Sequence, residues 1–146
     1  MDNTALYFCD FRTSDDGVHR VQQGDMRGWI RIAALGGRML IVLEGEPPAD
    51  TITAGLRAGL EAGWLTVSMK TLVDLTKYVG VVDWTSLKKL SELAEWGKVG
   101  PENSAVAYVV RNNEFGMVIK VISALFGRTR HRAFASRADA VAWLTQ

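Results

Sequence analysis

With 146 residues, 48% of them hydrophobic and 23% charged, the chain has material for one well-buried core and does not have the composition of a disordered segment. Its formal net charge of +1 supplies no field that would gather nucleic acid or an anionic membrane. A single cysteine, Cys9, excludes an internal disulfide.

The first residues, Met1-Asp2-Asn3-Thr4, lack the basic and apolar regions of a signal peptide. No apolar run approaches the ~20 residues that span a bilayer. A cytoplasmic protein without a transmembrane segment is expected. Residues 5–11 have the tyrosine and phenylalanine of a strand. Ser14-Asp15-Asp16-Gly17 is a turn, after which 18–22 would pair back. This N-terminal hairpin is favoured over a loosely held arm, and segment 1–25 is read as an extension to a domain at 26–146. Cys9, inside the apolar run Leu6-Tyr7-Phe8-Cys9, reads as a packing residue ahead of a reactive thiol.

Residues 28–35 and 38–44 are two β-rich runs separated by Gly36-Gly37, the positive-φ chemistry of a two-residue hairpin. The run 39–43 is apolar without alternation, which predicts a strand covered on both faces. Pro47-Pro48 ends it. Asp50 or Thr51 can cap a helix in which Ile52, Leu56, Leu60 and Trp64 form one stripe. Gly55 and Gly59 on a neighbouring face predict close approach to the sheet, and Gly63 suits the helix end. A strand follows at 71–75. Residues 78–82 lead into Asp83, which can cap a helix burying Trp84, Leu87, Leu90 and Ala94 up to Gly97. Next come a strand at 105–110, a helix at 115–126 and a strand at 130–135. Ser136-Arg137-Ala138-Asp139 has the form of a capping box for a last helix through Trp143. This alternation predicts an α/β fold, a mixed sheet packed with four helices.

The run Met39-Leu-Ile-Val-Leu-Glu-Gly45, a helix, Thr71-Leu-Val-Asp-Leu75, and Val81-Val82-Asp83 entering a helix together resemble a STAS, or anti-sigma-factor-antagonist, domain. The C-terminal half, through Ala138-Asp139-Ala140-Val141-Ala142-Trp143-Leu144, is similar to the SpoIIAA-like branch of that family. The resemblance covers roughly residues 28–146. It implies a noncatalytic domain that acts through protein contacts, with no cofactor. In the antagonists an aspartate precedes Ser-Ser-Gly, and the first serine is phosphorylated by a partner kinase. Here Asp83 is followed by Trp84, Thr85 and Ser86, so tryptophan holds the phosphorylatable position and the kinase switch is not expected. SpoIIAA-like proteins also resemble lipid-carrying CRAL-TRIO folds, which leaves carriage of a small apolar ligand open.

No catalytic set is visible. His19 and His131 fall on different elements without metal-ligand spacing, and no phosphate-binding glycine loop or nucleophile elbow is present. From residue 127 to 146 there are four arginines against one aspartate. Arg128, Arg130 and Arg132 read first as charges guarding an edge strand and second as an anion site. No specific nucleic-acid binding is expected. Trp84 and Thr85 at the predicted turn are candidate partner contacts, with a core role the competing reading for Trp84. The 115–126 helix has only Lys120 as a charge, and Phe115, Ile119, Ile122 and Phe126 help make it apolar around most of its circumference. Its surplus face calls for a cover. A second copy or another protein is favoured over a lipid-like ligand or segment 1–25.

Overall fold

The computed structural model describes residues 3–12, 17–63, 70–79, 105–111 and 130–145. Within them the chain builds one sheet of six strands in the order β1-β2-β3-β4-β5-β6. The strands are β1 His19–Asp25, β2 Gly28–Leu35, β3 Arg38–Gly45, β4 Lys70–Tyr78, β5 Ala105–Val109 and β6 Arg130–Phe134. β1, β2 and β3 are antiparallel neighbours, and β3 to β6 run parallel.

The β2–β3 hairpin closes on Gly36 and Gly37 at φ 56° and 80°, values that side chains with a Cβ rarely adopt. Every residue from Met39 to Leu43 is buried, as a strand with both faces covered must be. Helix α1, Ala49–Glu61, crosses from β3 to β4. Its Leu56 and Ile52 pack with Ile30, Ile32, Ile41 and Tyr108 on one face of the sheet. Gly55 is the point of closest approach, since a Cβ there would lie 3.0 Å from the Ile30 methyl. Gly63 follows the helix with φ 82°.

Helix α2, Arg137–Leu144, lies on the other face, where Ala140, Val141 and Leu144 meet Leu40, Leu72, Ala107 and Val109. The Ser136 hydroxyl accepts a hydrogen bond from the Asp139 amide at 3.2 Å, the N-cap contact of the capping box. The helices expected at 83–97 and 115–126 lie outside the described residues.

The N-terminal hairpin is corrected. Asn3–Phe8 is a 3-10 helix, not a strand. Leu6 and Tyr7 are adjacent and both buried, at 3% and 0% exposure. Strand neighbours would point to opposite faces, whereas a tight helical turn sends both into the α2-side core. β1 pairs instead with β2 through a turn at Met26 and Arg27, where Asp25 Oδ1 accepts from the Arg27 amide at 2.8 Å.

Candidate functional site

β4 is an interior strand, and its apolar run is broken by one carboxylate. Asp74 is 6% exposed and faces the α2 side. The β3–β4 register slips between Val42 and Glu44, so one extra residue of β4 bulges just after Asp74. The bulge brings Thr76 back onto the carboxylate. Asp74 Oδ1 accepts from the Thr76 amide at 2.9 Å and the Thr76 hydroxyl at 2.6 Å. Oδ2 accepts from Arg137 Nε at 2.7 Å. Arg137 opens α2, and its Nη1 donates to the Tyr7 carbonyl at 2.8 Å. The Tyr7 hydroxyl in turn donates to the Lys70 carbonyl at 3.1 Å. One network therefore ties the N-terminal 3-10 helix, both ends of β4 and the start of α2.

The electrostatics follow from these contacts. Burial pushes the Asp74 carboxyl up, but the Thr76 hydroxyl and amide and the Arg137 guanidinium outweigh it and hold the group below the ordinary carboxylate value. Burial raises the Tyr7 phenol, and the charge and hydrogen bond of Arg38 offset only part of the rise. A carboxylate spent on three donors is a poor general base. The network reads chemically as a lock.

A second polar pair lies on the α1 side. The Tyr108 hydroxyl and His131 Nδ1 are 3.0 Å apart, and the rings stack with centroids at 5.9 Å. Burial raises the Tyr108 phenol and lowers His131 to about 4, so the imidazole is neutral near pH 7. In the same register row Thr71 pairs with Val106, and Val106 with His131. The buried Thr71 hydroxyl has no hydrogen-bond partner among the described residues. No cluster of His, Cys, Asp and Glu suited to a metal occurs among the described residues.

Of the residues singled out in the sequence, Arg130 and Arg132 are described. Both are exposed on β6, an edge of the sheet. Arg130 lies 5.4 Å from the centre of the Trp143 ring, and Arg132 lies 5.4 Å from that of Phe134. These cation–π contacts lay the two guanidiniums along the β6–α2 seam. Trp84, Thr85, Phe115, Ile119, Ile122, Phe126 and Arg128 lie outside the described residues. Asp74, Arg137, Tyr7 and Tyr108 escaped the sequence reading as a site. The signal for Asp74 was available: a lone carboxylate inside an apolar interior strand demands a partner.

The end of the sheet beyond β4 has a different character. Gly45 has φ 70°, and its carbonyl accepts from the Val79 amide at 2.9 Å. The Arg27 carbonyl accepts from the Glu46 amide at 2.9 Å. These bonds bring the β1–β2 turn and the end of β4 together. Met26 is fully exposed there and Val79 is 64% exposed.

No family model matches the chain, and a comparison with curated protein sequences finds no match. Among solved structures the chain is similar to an uncharacterised protein of the DUF3478 family with a SpoIIAA-like fold from Shewanella loihica PV-4. Identity is 18%, the TM-score is 0.54, and the match covers 90% of this chain and 98% of the other. The architecture is thus an α/β fold shared with that protein. Within that class, the chain has a SpoIIAA-like fold.

Proposed function

We propose that this SpoIIAA-like domain is a noncatalytic regulatory module that works by binding another protein. The observation that carries the reading is the sheet end where Met26 and Val79 stand exposed. In sequence, Val79 is followed by Asp83-Trp84-Thr85-Ser86, which resembles the Asp-Ser-Ser-Gly motif of the antagonist domains with tryptophan at the phosphorylatable position. Exposed apolar side chains suit a protein contact. The Asp74–Arg137 network supports the same reading, because its groups are committed to one another.

The buried Thr71 hydroxyl, in one row with His131, favours a second reading. An amphipathic small molecule would place its apolar body on the α1-side face and its polar group against these residues.

Affinity purification from the source cell with tagged wild-type protein and the variant Met26→Asp/Val79→Asp tests the first reading. A discrete partner should be recovered with wild type and lost with a variant that melts at the same temperature. Equal recovery with both, or recovery of none, would overturn it.

A further inference from the structure

The described sheet has two edges, and they are built differently. β6 is five residues long and exposes Arg130 and Arg132, charges that repel a second strand. β1 is seven residues long, pairs with β2 without a bulge, contains no proline, and is uncharged through Gln22-Gln23-Gly24. Gln22 and Gln23 are exposed.

We infer that β1 is the seam of a symmetric dimer, in which a second copy of this chain pairs antiparallel to it and extends the sheet across a two-fold axis at Gln22. The hydrogen-bond parity of the hairpin supports this. A two-residue turn closes on Asp25 and Gly28, so Asp25, Gln23 and Val21 direct their backbone groups to β2. Gln22 and Gly24 then turn theirs outward.

Charge supports the antiparallel direction. β1 begins His19-Arg20 and ends Gly24-Asp25. About an axis at Gln22, the end of β1 that carries Arg20 lies against the end that carries Asp25 of the second copy, and Gln22 faces its own equivalent. Parallel pairing would set like against like. Gly24 projects no side chain beyond the edge, and the Trp29 ring fills the space a Cβ would take, 2.7 Å from that position. A strand seam alone buries less than a standard interface, so the dimer should dissociate in the range of tens of micromolar, roughly. This inference is independent of the partner-binding surface at Met26 and Val79.

Sedimentation velocity on the full chain, from about 1 to about 200 µM, tests it. Wild type should shift from monomer to dimer across that range. Gln22→Pro removes an amide that does not bond to β2, so the monomer fold should hold while the dimer is lost. Should that variant fail to fold, Gln22→Lys serves, since it sets like charges face to face on the axis and should abolish the dimer equally. A wild type that stays monomeric throughout, or a folded variant of either kind that dimerises like wild type, would overturn the inference.

Discussion

Arg137 is the residue on which the polar network turns. It serves Asp74 and the Tyr7 carbonyl together, from a position 63 residues away from the first and 130 from the second. Removing one partner of a buried ion pair leaves the other charge without compensation. Arg137→Ala should therefore lower stability by about 3 kcal/mol in urea denaturation. A loss under about 1 kcal/mol would show that water replaces the guanidinium without penalty. His131 governs the acid side. Its pKa is about 4 when folded and 6.5 ordinarily, so the unfolded chain binds the proton more readily. Stability should fall as pH drops below about 6.5 and level off for this group near 4, by on the order of 2 kcal/mol once partial exposure is allowed for. Asp74 adds a further loss at lower pH, where its depressed carboxyl finally protonates. Thermal melts of wild type and His131→Gln between pH 7 and 4.5 isolate the histidine contribution. The variant should show the flatter slope, and equal slopes would refute the assignment. Neither contact could be located from the sequence, because both depend on the order of strands. Tyr108 and His131 are 23 positions apart and become neighbours only when β5 and β6 pair in this register.

The elements were legible where local chemistry dictates them. Gly36-Gly37 forces the tight hairpin whatever surrounds it, and the apolar run 39–43 can only be an interior strand. Ser136 caps α2 as its spacing requires. The N-terminal segment departs from its sequence pattern because its aromatic residues suit a strand locally, while the tertiary context decides otherwise. Leu6 and Tyr7 are held by the α2-side core, and Tyr7 contributes both its carbonyl and its hydroxyl to the network. A chain lacking residues 1–12 loses both side chains from that core. It should be less stable than the full chain by at least about 3 kcal/mol. If the shortened chain unfolded at the same urea concentration, the 3-10 helix would be an accessory and not a part of the core.

At the scale of the molecule, alternation of apolar strands and amphipathic helices announces an α/β domain, and the sheet places the apolar strands β3, β4 and β5 in its interior, beside β2. Composition cannot say which surface meets a partner, because that depends on which loops share an end of the sheet. Met26 and Val79 are 53 positions apart in the chain, and the Gly45 and Arg27 carbonyls bring their segments together. Among the described residues, no helix is long and apolar enough to cross a membrane. The role proposed for this SpoIIAA-like domain is to bind another protein. Native mass spectrometry of the tagged chain purified gently from its own cells tests it most directly. The spectrum should show a complex whose added mass is that of a second, different polypeptide. A spectrum showing only the chain and its homodimer, or the chain carrying a molecule of less than about 1 kDa, would contradict it.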